Sequence, residues 1–184
     1  LAMEIADSHA ELGRFCTRCE SKKLPELAAR SCAQRLLQIV AAVHERGFVH
    51  CDLKAKHFLM FKGEWKLIDF DNAQPDGEEH TACCTMRYAA PEVVVARRAG
   101  VPVVATPAID VWAMAIILCH LFSGNMLHAD DDLDGLEEQL ATAPQEVATA
   151  LERAEGLSDP QRRLLHEMVA VAPEERRSLR EVLA

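Results

Sequence analysis

Residues 49–59 read VHCDLKAKHFL and place acidic, basic and imidazole side chains between two short apolar runs. A second segment, residues 66–71, reads KLIDFD, in which a strand-like run leads directly into two carboxylates. Lys62-Gly63 lies between the two segments and is a turn signal. We therefore expect residues 58–61 and 65–68 to form a small β-hairpin, with the chemically reactive residues close to its ends.

Helical patterns surround this hairpin. Residues 109–122 are apolar nearly all round, begin after Thr106-Pro107 and stop at Gly124, which predicts a buried central helix. Residues 71–89 have neither helical nor strand periodicity and are expected to form a long loop. Further helices are predicted at about 8–19, from Pro25 to Gly47, after Pro91, at 133–140, 144–154 and 158–171, and after the capping box of Ser178 and Glu181. The expected fold class is mainly α.

Composition narrows the function classes. The chain has 184 residues, 49% of them hydrophobic, which suits one domain with a proper core. Twenty-nine acidic residues against 20 basic ones argue against a nucleic-acid-binding surface. Seven cysteines, an odd number, argue against a disulfide framework and for an intracellular, cytoplasmic location. No apolar run approaches the roughly 18 residues of a membrane span, so we expect no membrane partner.

Four motifs occur in the order in which the protein kinase family has them. Residues 49–59 resemble the catalytic loop H-R-D-L-K-x-x-N, and residues 66–71 resemble the D-F-G motif with its preceding strand. Residues 85–92, TMRYAAPE, look like the end of an activation segment, and residues 110–114, DVWAM, are similar to the start of the family's buried F helix. Residues 173–176, PEER, resemble the later D-P-x-x-R motif. Five matches in family order indicate a Ser/Thr-type eukaryotic protein kinase.

The resemblance covers residues 1–184, from a hinge-like Met3-Glu4 to the last helix. It implies a protein-kinase C-terminal lobe, with helices around a buried central helix and a small β-hairpin carrying the catalytic loop. The family's N-terminal lobe, with its glycine-rich loop and V-A-I-K lysine, has no counterpart in this sequence. We expect that missing lobe to be a partner within a longer parent protein, and we expect this chain alone not to transfer phosphate.

The resemblance also implies a reaction, transfer of the ATP γ-phosphoryl group to Ser or Thr hydroxyls of protein substrates. It assigns Asp52 to orienting the substrate hydroxyl and accepting its proton, and Lys54 to stabilising the transferring group. Thr85 takes the position of a threonine close to both, which together with Lys54 points to Ser/Thr rather than Tyr specificity. Asp110 is implied to cap backbone amides of the catalytic loop.

ATP and Mg²⁺ are the implied cofactors. Asp69 is expected to hold the magnesium ion, and Glu4 and Ile5 of the hinge are expected to contact adenine. His57 stands where the family has an asparagine that binds a second metal, so it is a tentative nucleotide and metal ligand. Asp71 replaces the glycine of D-F-G. It is either a tentative additional metal ligand or a tolerated substitution.

A further departure from the family pattern is Cys51, which replaces the arginine that pairs with a phosphorylated activation segment. This departure argues against regulation by phosphorylation of that segment, although Thr81 and Thr85 remain available hydroxyls. The three departures keep a second function class open, a pseudokinase that binds partners or acts as a scaffold without phosphotransfer. Glu92 and Arg176 are implied to form a structural ion pair in either case.

Overall fold

The structure, a computed structural model, describes Leu12 and residues 25–82, 84–124 and 133–184. Glu4 and Ile5 lie outside the described residues, as do most of the helix predicted at 8–19 and Cys83. Within the described ranges the helices are α1 (Glu26–His44), α2 (Pro91–Ala99), α3 (Pro107–Ser123), α4 (Leu133–Thr142), α5 (Pro144–Arg153), α6 (Asp159–Met168) and α7 (Leu179–Leu183). The strands are β1 (Phe48–Val49), β2 (Phe58–Phe61), β3 (Glu64–Leu67), β4 (Gln74–Pro75), β5 (Glu79–Thr81) and β6 (Pro102–Val104). The mainly α prediction is confirmed.

The predicted central helix is α3. Every residue from Ile109 to Phe122 is buried, because an apolar surface on all sides requires protein on all sides. The helix begins at Pro107 after an extended Thr106 and ends at Gly124, whose φ of 76° is the left-handed conformation that glycine adopts readily. Helices α1, α5 and α6 pack against α3 and complete the core.

The predicted hairpin is formed by β2 and β3, which pair from Phe58 with Leu67 to Phe61 with Glu64. Lys62 and Gly63 connect the strands with φ values of 51° and 81°, the combination that a two-residue type I′ turn requires. The second strand begins one residue earlier than predicted. A short 3₁₀ turn, Ala55–His57, leads into the hairpin from the segment that resembles a catalytic loop.

The prediction of a continuous loop over residues 71–89 is wrong in part. Strand β4 pairs with β1, and β5 pairs with β6 in an antiparallel register from Glu79 opposite Val104 to Thr81 opposite Pro102. Residues Met86–Tyr88 form a further 3₁₀ turn. Strands of two or three residues are too short for an alternating pattern, so only tertiary pairing reveals them.

The C-terminal helices follow the sequence predictions with small shifts. Helix α6 ends at Met168, three residues before the predicted end, and the capping box of Ser178 and Glu181 opens α7. Among the described helices, none is both long and apolar enough to cross a bilayer.

Candidate functional site

A buried carboxylate at the start of α3 fixes the catalytic-loop segment. Both oxygens of Asp110 accept backbone hydrogen bonds, Oδ2 from His50 N–H at 2.8 Å and Oδ1 from Cys51 N–H at 3.1 Å. His44 Nε2, at the end of α1, lies 2.8 Å from Oδ2. The Asp110 side chain is fully buried, so these partners replace the water that it loses. They hold Cys51 at a φ of 64°, a conformation that a residue with a side chain rarely adopts.

Cys51 is a packing residue in this arrangement. Its side chain is 4% exposed and packs with Val49 and Ala105. Burial raises the pKa of the Cys51 thiol to about 12, and the charges of Asp110 and Asp52 add to the effect. The thiol is therefore neutral at pH 7 and contributes neither the charge nor the hydrogen-bond donors of an arginine.

Asp52, Lys54 and Thr85, here called the Asp52 cluster, meet in one hydrogen-bonded group. Asp52 Oδ1 accepts from Thr85 Oγ1 at 2.7 Å and from Thr85 N–H at 3.1 Å, while Asp52 Oδ2 accepts from Lys54 Nζ at 2.9 Å. Lys54 Nζ also lies 3.2 Å from Thr85 Oγ1. The group joins the catalytic-loop segment to the segment that carries Thr85, 33 residues later.

The electrostatics of the Asp52 cluster keep its carboxylate ionised. Partial burial acts to raise the pKa of Asp52, but hydrogen bonds from Lys54 and Thr85 and the positive charge of Lys54 outweigh it, so the pKa is lowered overall. An ionised carboxylate accepts hydrogen bonds only, and each oxygen has lone pairs for more than one donor. Asp52 Oδ2, with one donor from Lys54 among the described residues, retains capacity for a further hydroxyl donor.

His57 and Asp69, here called the Asp69 pair, flank the open end of the hairpin, one before β2 and the other after β3. The backbone N–H of Ile68 donates to the His57 carbonyl at 3.0 Å, which places Asp69 beside the imidazole. His57 Nε2 lies 3.0 Å from Asp69 Oδ2. The His57 side chain is 6% exposed and that of Asp69 is 44% exposed. Asp69 also has a positive φ of 65°.

The surroundings of His57 favour the neutral form of its ring. Burial lowers the pKa of His57, and the nearby positive charge of Lys54 lowers it further, although the charge of Asp69 acts in the opposite direction. His57 Nδ1 is buried and has no hydrogen-bond partner among the described residues. The contact with Asp69 is therefore a hydrogen bond rather than an ion pair.

His50 links the Asp52 cluster to the Asp69 pair, a role that sequence reasoning missed. Its Nδ1 accepts from Asp52 N–H at 3.4 Å, and its Nε2 donates to the Ile68 carbonyl at 3.1 Å. The His50 ring also contacts the rings of His57 and Phe70, with centroids 5.6 and 5.1 Å apart. Its place inside the motif at residues 49–59 was the available signal. Nothing in the sequence signalled that His44 contacts Asp110, 66 residues away.

The expected structural ion pair of Glu92 and Arg176 is present. Arg176 Nη1 and Nη2 donate to the two oxygens of Glu92 at 2.7 and 2.8 Å, a bidentate geometry that favours a charged pair. The same guanidinium donates to the carbonyls of Ala108, Ala170 and Val171 and lies 5.0 Å from the Trp112 ring centroid. These contacts tie the start of α2 to α3 and to the chain after α6.

The carboxylates of Asp69 and Asp71 are of the kind that holds one magnesium ion together with the phosphates of a nucleotide. Magnesium takes oxygen ligands and is commonly held by one or two carboxylates together with nucleotide phosphates. In the parts of the chain that the structure describes, no three His, Cys, Asp or Glu side chains are grouped to hold a metal by themselves. Asp69 is half exposed and can offer an oxygen, and Asp71 is exposed two residues later. The assignments of Asp69, Asp71 and His57 as metal ligands stay predictions, as do the hinge roles of Glu4 and Ile5.

Comparison with known proteins supports the resemblance. The family described as "Protein kinase domain" matches residues 1–184. CBL-interacting protein kinase 4 of Oryza sativa subsp. japonica is 31% identical over 183 residues, which are 96% of this chain and 38% of that protein. The Carbon catabolite-derepressing protein kinase of Secale cereale is 32% identical over 167 residues, 89% of this chain and 31% of that protein.

CBL-interacting serine/threonine-protein kinase 15 of Arabidopsis thaliana is 33% identical over 142 residues, 73% of this chain and 32% of that protein. The chain thus spans about a third of the length of these curated relatives. The family match covers the whole chain, and the order of motifs agrees with it. The chain therefore belongs to the protein kinase family.

Proposed function

We propose that this chain is the C-terminal lobe of a longer protein that transfers the γ-phosphoryl group of ATP to Ser or Thr hydroxyls of protein substrates. The Asp52 cluster carries the proposal, because an ionised carboxylate, an ammonium group and a threonine hydroxyl are hydrogen-bonded together. Phosphoryl transfer depends on positioning and charge stabilisation more than on covalent help from the protein. A preformed group of this kind supplies both.

Each member of the Asp52 cluster has a distinct part in the proposed reaction. Asp52 accepts a hydrogen bond from the substrate hydroxyl and so directs its oxygen toward the phosphorus atom. Because the pKa of Asp52 is lowered, it is a weak base, and it takes the proton late, once the hydroxyl has begun to bond to phosphorus. Lys54 places a positive charge beside the transferring oxygens. Thr85 holds the carboxylate in its orientation.

ATP and magnesium complete the proposed site. Asp69 would hold the metal, which supplies positive charge that neutralises the nucleotide phosphates. Glu4 and Ile5, in the segment that resembles the hinge, would contact adenine. The missing N-terminal lobe would cover the face of the nucleotide that this chain leaves open. The proposed location is the cytoplasm. The 184-residue chain alone, which offers only one wall of the nucleotide site, is proposed to be inactive.

The test is a phosphotransfer assay on the full-length protein with Asp52→Ala and Asp69→Asn variants. We expect each variant to lose at least about 100-fold in kcat, the range typical of a missing positioned base or charge-stabilising group. Asp134→Ala, an exposed aspartate on α4, is the control and should keep full activity. Equal signal from all four proteins would show that the activity comes from a contaminant.

A pseudokinase is the second candidate function. It is favoured by His57, which stands at the position of the family's metal-binding asparagine. A full-length wild-type protein that binds a nucleotide or a partner protein without transferring phosphate would establish this alternative. Asp52→Ala would then leave binding unchanged.

A further inference from the structure

The geometry around His57 bears on how many cations the proposed nucleotide site holds. His57 stands at the position of the family's second metal ligand, but its Nε2 lies 3.0 Å from Asp69 Oδ2. A carboxylate oxygen only accepts hydrogen bonds, so His57 Nε2 must carry the proton for this contact to be favourable. A protonated ring nitrogen has no lone pair for a metal.

The other ring nitrogen does not offer an alternative. When Nε2 of a neutral imidazole carries the proton, Nδ1 has the free lone pair. His57 Nδ1 is buried and has no hydrogen-bond partner within the described residues, so protein atoms shield it from a hydrated cation. Imidazole is also a softer ligand than the oxygen atoms that magnesium prefers. Neither nitrogen of His57 is therefore available for magnesium.

The hydrogen bond from His57 also affects how the Asp69 carboxylate can bind a metal. Asp69 Oδ2 accepts from His57, whereas the 44% exposure of the side chain leaves the carboxylate accessible from the solvent side. An amide at residue 57 has an oxygen that can serve a second ion, but a ring that donates to Asp69 fixes the carboxylate instead. The imidazole thus acts on the metal through Asp69.

We propose that His57 is a positioning residue that orients Asp69 through an Nε2–H hydrogen bond, and that the site takes one divalent cation per nucleotide. This inference rests on the proposed function for the presence of a nucleotide and its cation, but not for the hydrogen bond itself. It replaces the expectation that His57 ligates a second metal. It also assigns no metal to Asp71.

Cation stoichiometry is the first readout. The full-length protein is saturated with the non-hydrolysable analogue AMP-PNP and titrated with Mn²⁺, and bound ions are counted from the electron paramagnetic resonance of the free ion. We expect one ion in the wild type and two in His57→Asn, a twofold change. His57→Gln, whose amide nitrogen reaches the position of Nε2, should keep one ion. His166→Asn, an exposed histidine on α6, is the matched control and should also keep one.

Any other number of bound ions in the wild type would overturn the proposal. Two ions in the wild type would refute it, and Asp71→Asn would then show whether Asp71 supplies the second site by returning the count to one. No ion in the presence of AMP-PNP would refute it as well. One ion in a wild type that transfers no phosphate would support the proposal while the proposed function fails, so the two failures are distinguishable.

The second readout needs neither nucleotide nor metal. Long-range ¹H–¹⁵N correlation spectra of the full-length protein report which ring nitrogen of each histidine carries a proton, and the signal lost in His57→Gln identifies His57. We expect the Nε2–H tautomer, with shifts that change in Asp69→Asn and stay unchanged in Asp71→Asn. A His57 ring protonated on Nδ1 alone would overturn the proposal even if His57→Asn failed to fold.

Discussion

The Asp52 cluster and the Asp69 pair lie close together but are held in different ways. In the Asp52 cluster three hydrogen bonds join three side chains, a fourth comes from the Thr85 backbone N–H, and both carboxylate oxygens have partners. In the Asp69 pair one hydrogen bond reaches a half-exposed carboxylate, and a buried ring nitrogen is left without a partner among the described residues. The carboxylate of the first group is held by residues of the chain itself, whereas the second group keeps a carboxylate that is accessible to a ligand.

This difference matches where the sequence keeps the family pattern. The Asp52 cluster consists of residues that the pattern retains, and the Asp69 pair contains the substitution of His57 for asparagine. A substitution in the Asp52 cluster removes a hydrogen-bond partner from a carboxylate that is only 11% exposed, which is costly. The Asp69 carboxylate is 44% exposed, so water can replace a lost partner there. We therefore expect substitutions in the Asp52 cluster to lower the free energy of unfolding more than substitutions of Asp69 do.

The largest effect, on stability, should come from removing Asp110, which fixes the backbone next to Asp52. Asp110→Ala leaves two buried backbone N–H groups without their acceptor, and each costs about 1–3 kcal/mol. We expect the free energy of unfolding to fall by about 3–5 kcal/mol, measured by urea denaturation. Asp110→Asn, which keeps one oxygen, should lose less. A loss below about 1 kcal/mol for the alanine variant would mean that water replaces the carboxylate.

Lys54 provides the next test, now of activity. Lys54→Ala removes the positive charge beside the proposed transfer site, and we expect kcat of the full-length protein to fall about 10²–10³-fold. Lys56→Ala changes an exposed lysine two residues away and should leave kcat unchanged. Similar losses of kcat in both variants would show that kcat depends on positive charge in this region and not on the hydrogen bonds of the Asp52 cluster.

Thr85 tests whether the hydroxyl bond to Asp52 matters by itself. Thr85→Val keeps the shape and removes a hydrogen bond to a charged group, which is worth about 1.5–3 kcal/mol. We expect kcat/KM to fall about 10-fold or more, and Thr85→Ser to restore most of it. A serine variant as weak as the valine variant would instead assign the effect to packing of the methyl group.

The smallest expected effect is a pH dependence of stability. The folded pKa of Asp52 is lowered, so its contribution to stability is fully present above the unfolded value of about 3.9 and is lost as pH falls through the folded pKa. Unfolding midpoints measured between pH 7 and pH 2.5 should therefore fall less steeply at the acid end in Asp52→Asn. Parallel curves for the two proteins would show that the Asp52 cluster does not contribute.

Much of the fold was predictable because its signals are local. The apolar run at 109–122 predicted α3, and Lys62-Gly63 predicted the hairpin turn, since both depend on a few neighbouring residues. Strands β4, β5 and β6 were missed because each has two or three residues and depends on a partner strand distant in sequence. The early end of α6 is a boundary effect of one turn.

The candidate site was predictable to a different extent. Residue types and spacing singled out Asp52, Lys54 and Thr85, which the structure brings together. They also singled out His57 and Asp69, but not that the two bind each other. The link made by His44 was not predictable, and the position of His50 inside its motif did not reveal its partners, because a histidine has no sequence pattern that identifies its hydrogen-bond partner.

The amino-acid sequence by itself determined the mainly α class, the buried central helix, the hairpin and the order of chemical motifs, because periodicity, turn residues and spacing are properties of short segments. Tertiary structure decided which residues of those motifs contact one another. It places the Asp110 carboxylate where it accepts hydrogen bonds from two backbone N–H groups, and it places His57 Nε2 within hydrogen-bond distance of Asp69. Such contacts join residues far apart in the chain, and their geometry is set by how α1, α3 and the hairpin pack.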